Sequence, residues 1–165
     1  MEEKMIIRNS TEKDVDAVCA IAAEQWSAIY DGYKSQMGDE LYDIFYGDDP
    51  LAKKKEAVRA NANDFEHCIV TEIDGAVAGF AYFRTEEVGG RLVGVLSHNA
   101  VKSEYKGRGI AGKQYAVIFE KMKALGCVAV KVHTGLDDGH APARRAYEKA
   151  GFEKNLPSVI YYKKL

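Results

Sequence analysis

Apolar and polar positions repeat with two different periods along this chain. Met5-Ile6-Ile7-Arg8 reads as a short strand, and Ser10 and Thr11 offer caps for a helix with apolar positions at Val15, Val18, Ile21 and Ala22. From Trp26 to about Phe65 the pattern is aromatic and helical, interrupted by Gly32, Gly38, Gly47 and Pro50, so two or three short helices are expected. Lys53-Lys54-Lys55 belongs to a solvated helical face. Two apolar runs, from His67 to Glu72 and from Ala76 to Phe83, flank Asp74-Gly75, which predicts an antiparallel hairpin. A further strand runs from Leu92 to Val101. Next comes a glycine loop and a helix whose apolar stripe, Ala111, Tyr115, Ile118, Met122 and Leu125, steps by helical turns until Gly126 ends it. The β-branched run from Cys127 to His133 suits parallel pairing after a helical crossover. Pro142 and Gly151 bracket a short helix, and Ser158 to Lys163 reads as a last strand.

The chain has 165 residues, which suits one domain (1–165) with a single core. It is 47% hydrophobic and 29% charged, with a formal net charge of -2, so no broad basic face for nucleic acid is expected. The charged N-terminus lacks the apolar centre of a signal peptide, and no apolar run is long enough to span a bilayer. A cytoplasmic protein without membrane partners is therefore expected. Cys19, Cys68 and Cys127 lie far apart without metal-ligand spacing and read as small core residues, and no metal site is expected.

The loop Gly107-Arg108-Gly109-Ile110-Ala111-Gly112-Lys113 fits several phosphate-binding templates. A dinucleotide fold requires glycines directly off the first strand and an acid about twenty residues later, and neither is present. A Walker A loop requires Ser or Thr after the lysine to hold Mg²⁺, and Gln114 stands there. A glycine turn that merely opens a helix remains open. All these readings share backbone N–H groups gathered at a helix N-terminus.

With the strand end Asn99-Ala100-Val101, the loop from Tyr105 to Gly112, and the late segment from His140 to Phe152, the chain resembles the GNAT superfamily of acetyl-CoA-dependent N-acetyltransferases. The late segment is similar to the family pattern Asn-x-x-Ala-x-x-x-Tyr-x-x-x-Gly-Phe. The resemblance covers nearly the whole chain. It implies an α/β fold with a mixed central sheet: antiparallel N-terminal strands, a splayed parallel pair that binds CoA, and flanking helices.

What the resemblance implies for chemistry is specific. Acetyl-CoA is the co-substrate, its pyrophosphate wrapped by Lys106, Gly107, Arg108, Gly109, Ile110, Ala111 and Gly112. Its pantetheine lies along Asn99, Ala100 and Val101, with His140 standing where the family has Asn. Lys102, Lys106, Arg108 and Lys113 form a local basic spot suited to the CoA phosphates. Tyr147 stands where the family places the acid that protonates the departing thiolate, and Trp26, Tyr30 and Tyr33 lie in the segment that walls the acceptor, at a spacing that also fits a core-facing helical stripe. Lys106 replaces the family's Arg or Gln. No carboxylate lies on the two central strands, so the general base is not evident. Ser97 or Asn99 ordering a water, or His98 itself, are the alternatives. On strand alternation Val95, Ser97, Asn99 and Val101 share one face, and His98 takes the other unless a bulge intervenes. The implied function is transfer of acetyl to a small amine or peptide amine by a monomer or homodimer. A protein that holds acyl-CoA without turnover, as a sensor or scaffold, is the alternative.

Overall fold

The computed structural model describes residues 4–165. Five strands form one sheet in the order β1 (Met5–Asn9), β2 (Cys68–Ile73), β3 (Ala76–Val88), β4 (Arg91–Val101) and β5 (Ala129–Val132). Neighbours from β1 to β4 run antiparallel, and β4 pairs with β5 in parallel. The antiparallel connection between β2 and β3 needs only Asp74 and Gly75, at φ 48° and 85°, the left-handed pair a tight hairpin turn demands. The parallel step needs a crossover, supplied by α4 (Ile110–Ala124).

The first face of the sheet is covered by α1 (Val15–Met37) and α3 (Pro50–Ala62), with α2 (Asp39–Tyr46) between them in the chain. Val18, Ile21, Ala22, Val58 and Ala62 pack there on Val70 and Phe80. On the second face α4 and α5 (Ala141–Lys149) press Tyr115, Ile118, Met122 and Tyr147 onto Ile69, Ala81, Phe83 and Leu96. Helix α4 lies so close that a Cβ on Gly94 of β4 would stand 2.4 Å from Met122 Sδ.

Several expectations are corrected. Gly32 does not interrupt α1, which runs unbroken for 23 residues, because the apolar stripe from Val15 to Ile29 anchors the helix and a mid-helix glycine costs only about 1 kcal/mol. Gly38, Gly47 and Pro50 do separate the helices. Leu125 does not join the α4 stripe: it caps the helix and is 50% exposed. The last expected strand, residues 158–163, is not a strand. Its β-branched composition is suitable, but it meets no sheet edge, and a strand without a partner leaves its backbone groups to water.

Strand alternation also fails within β4. Ala81 pairs with Asn99, yet Phe83 pairs with Leu96, so two steps on β3 oppose three on β4. An extra residue therefore sits at Ser97–His98, a β-bulge. Leu96 and Asn99 consequently share the α4 face, whereas His98 turns toward α1 and α3.

Candidate active site

The bulge coincides with the end of the parallel pairing. β5 follows β4 only from Val93 to Leu96, opposite Ala129 to Val132. Beyond Leu96, residues 97–101 of β4 face no strand on that side among the described residues. A splayed edge of this kind offers extended backbone to an extended ligand.

Asn99 stands on this free length with its side chain fully engaged. Its Nδ2 donates to Ser97 O at 2.8 Å and to the Tyr147 hydroxyl at 3.0 Å, and its Oδ1 accepts from the Tyr115 hydroxyl at 2.7 Å. The Ser97 carbonyl freed by the bulge is thus satisfied locally. Both amide protons are committed, so Asn99 does not order a water with them; it positions Tyr147 instead. Tyr147 is 7% exposed, rooted by Phe152 and Tyr115 rings. Burial raises its pKa, opposed by the bonds with Asn99 and Tyr115, and the phenol stays protonated at neutral pH. Tyr115 is pushed up further, burial again being the main cause.

The glycine loop opens α4 at Gly109, which is left-handed at φ 74°, as is Gly107 at φ 79°. A Cβ on Gly107, Gly109 or Gly112 would touch nothing within 4 Å, so the space over the loop is open. No side chain caps the helix, and its first N–H groups point to that space. These features fit a phosphate ligand. Ile110 is buried, and Ala111 packs beside the second core, so their side chains anchor the loop while their amides border it. Gln114, where a Walker loop has Ser or Thr, points into the core, donating to Thr71 Oγ1 at 3.0 Å. The basic spot is partly spent: Lys102 pairs with Glu104 at 2.6 Å, and Arg108 stacks on the Tyr105 ring at 5.2 Å. Lys106 and Lys113 are exposed. Ala100 packs toward the first core and Val101 toward Ile110 and Ile73, which fixes the backbone of the free strand.

On the opposite side of β4, where strand alternation places His98, the structure supplies partners that the sequence did not reveal. His98 Nδ1 lies 2.6 Å from Asn61 Oδ1, which fixes its proton on that nitrogen, and Nε2 accepts from Lys54 at 3.1 Å. Lys54 also lies 5.0 Å over the Trp26 ring, and Trp26 meets His98 edge-on at 5.7 Å. The middle lysine of the Lys53–Lys55 run is therefore half-buried rather than solvated. Burial lowers its pKa. Burial and then the Lys54 charge lower that of His98 to about 4, which makes it a weak base with both nitrogens occupied.

Tyr30 and Tyr33 form a tyrosine cluster with Tyr46, 5.9 and 5.6 Å from its ring. Tyr33 also stacks on His140 at 6.5 Å. His140 Nδ1 lies 2.7 Å from Asp137 Oδ2. Burial pushes the Asp137 carboxyl up, but the bonds from His140 outweigh it and hold it below the usual range. The Asp-x-x-His spacing at a helix start was the available signal for this pair. Cys19 and Cys68 are buried free thiols and Cys127 is half-buried, and no group of metal-ligating side chains is present among the described residues.

The sequence matches the model of the acetyltransferase (GNAT) family over residues 25–152. The chain belongs to the GNAT family. No match was found among curated protein sequences. Solved structures share the fold at low identity. The aminoglycoside N-acetyltransferase AAC(6')-Iy, in complex with CoA, is 18% identical, with TM-score 0.62 over 100% of this chain and 98% of that one. An aminoglycoside acetyltransferase from an uncultured soil metagenomic sample, in complex with sisomicin, is 15% identical, with TM-score 0.61 over 98% and 96%. Glucosamine-6-phosphate N-acetyltransferase from Arabidopsis thaliana is 15% identical, with TM-score 0.62 over 98% and 100%. As a GNAT protein the chain is an acyltransferase with a mixed sheet. Among the described residues no helix is long and apolar enough to cross a membrane.

Proposed function

We propose that this GNAT protein transfers the acetyl group of acetyl-CoA to a primary amine by direct attack. The observation that carries the reading is Tyr147, a buried neutral phenol presented by Asn99 at the point where β4 parts from β5. Acetyl-CoA supplies an activated thioester: the amine nitrogen forms the new bond to the carbonyl carbon as the carbon–sulfur bond breaks, and the thiolate takes a proton. Tyr147 holds that proton at its hydroxyl. The amides of Gly107 to Gly112 and the α4 dipole suit the pyrophosphate, and the free backbone of Asn99, Ala100 and Val101 suits the pantetheine arm. His140, fixed by Asp137 and stacked on Tyr33, stands where the family has the Asn that anchors pantetheine.

The acceptor is a small amine or peptide amine. Tyr30, Tyr33 and Trp26 give aromatic faces that attract cationic groups. Amines of the kind carried by aminoglycosides, which two of the structural neighbours are named for, belong in the test set. The amine attacks as its neutral form, and its proton passes to solvent once the carbon–nitrogen bond forms. Reaction takes place in the cytoplasm.

The test is acetyl-CoA consumption against a panel of amines, polyamines, aminoglycosides and peptide N-termini, alongside thermal shift with CoA. CoA at a hundred-fold excess over Kd stabilises by about 2.7 kcal/mol. Stabilisation without turnover across the panel would instead indicate a binding module.

A further inference from the structure

Exposed lysines of this protein find carboxylates: Lys102 pairs with Glu104 and Lys123 with Glu120. Water already solvates such ammonium groups, so the pairing adds little. Lys54 reverses that order. It is half-buried among α1, α3 and β4, where an ammonium loses hydration, yet among the described residues no carboxylate stands within ion-pair distance of it. The chain has 25 acidic residues against 23 Lys and Arg, so the absence is local.

What Lys54 does touch carries no negative charge. His98 Nε2 accepts one of its three ammonium protons at 3.1 Å, and the Trp26 ring centroid lies 5.0 Å away. Burial lowers the Lys54 pKa and no acid opposes it. A cation held this way is costly unless an anion reaches it. One can, since Trp26, Lys54, Asn61 and His98 each keep part of their surface in solvent.

The position is next to the proposed chemistry. His98 lies between Ser97 and Asn99 on the length of β4 that extends beyond the parallel pairing. Asn99 serves the α4 side and Tyr147, whereas His98 faces α1 and α3, the side of the aromatic acceptor wall. We infer that Lys54 anchors an anionic group on the acceptor, so that the preferred substrate is an amine that also carries a carboxylate or phosphate. The inference rests on the acetyl-transfer reading of the same site. The anion supplies the charge that the chain withholds, and the low-dielectric surroundings beside Trp26 strengthen the pairing. A polyamine meets like charge at Lys54 and is disfavoured.

Trp26 is the only tryptophan in the chain, so its fluorescence reports an anion arriving at Lys54 without any turnover. The full chain with CoA is titrated with matched pairs at constant ionic strength: amino carboxylates against their amides, and aminoalkyl phosphates against the parent amino alcohols. The same pairs, with a polyamine, are then assayed with acetyl-CoA. The expected result is that the anionic member of at least one kind of pair binds about 10–100-fold more tightly, with a similar ratio in kcat/KM. The kind of pair that shows the ratio tells carboxylate from phosphate. Lys54→Met keeps a side chain over Trp26 without the charge and should bring the ratio to about one, whereas Lys54→Arg should retain it. Equal affinities within every pair, a Trp26 signal that responds to none of the ligands, or a preference that survives Lys54→Met overturns the inference. Failure of the transfer reading looks different: no amine is acetylated, while a Lys54-dependent preference in fluorescence still supports the anion site.

Discussion

The side-chain amide of Asn99 donates to the Tyr147 hydroxyl at 3.0 Å across 48 positions of sequence. One residue from the bulged strand thereby fixes the phenol of a helix on the other side of the strand gap. Tyr147→Phe keeps the ring in its packing against Tyr115 and Phe152 and removes only the proton. CoA affinity is expected to stay near wild type while single-turnover acetylation falls by about 10²–10⁴-fold. Equal single-turnover rates would make Tyr147 a packing residue and leave the thiolate to be protonated by solvent.

Asn99→Ala tests positioning separately from chemistry. It strips partners from the Tyr115 hydroxyl and the Ser97 carbonyl, and leaving such groups unsatisfied costs about 1–3 kcal/mol each when they are buried. A lower denaturation midpoint is expected together with slower acetylation. Because Asn99 bonding opposes the upward shift of Tyr147, its loss also raises the Tyr147 pKa, measurable by ultraviolet titration of the phenol. A variant that is destabilised but acetylates normally, with the titration unmoved, would show that the bond is structural alone.

The loop is tested by Gly109→Asp. Gly109 has φ 74°, so the new residue is mildly strained, but the position is exposed and the fold is expected to persist. Its carboxylate would stand in the open space over the loop, where a pyrophosphate is expected, and calorimetry should show CoA binding lost. Unchanged affinity in the folded variant would place the phosphates elsewhere.

His98 gives a pH signature in stability. Its folded pKa of about 4 lies below the ordinary 6.5, so between these values the unfolded chain holds a proton that the folded chain does not. Stability is therefore complete above about pH 6.5 and falls as the pH drops toward 4, by about 2 kcal/mol at pH 5. Urea midpoints at pH 7.5 and pH 5 should differ less in His98→Gln. In Lys54→Met, removal of the nearby cation should raise the His98 pKa observed by NMR. An identical pH dependence in His98→Gln would assign the acid sensitivity to other groups.

Local patterning determined a good deal by itself. The Asp74-Gly75 turn, the α4 stripe and the β-branched run of β5 were readable because each is set by neighbours a few residues away. So were the glycine loop and the Tyr147 segment, whose spacing carries the family resemblance. Tertiary structure decided what depends on distant partners. Whether Gly32 breaks a helix depended on a core contributed by other elements, and whether Asn99 shares a face with Val95 or with Leu96 depended on the β3 register that creates the bulge. The inward turn of Lys54 depended on Trp26 and His98, residues 28 and 44 positions away, and no helical repeat within Lys53–Lys55 encodes them. The tail shows the limit most plainly: residues 158–163 have the composition of a strand, but a strand exists only when another edge accepts its hydrogen bonds, and that partner is not written in the segment itself.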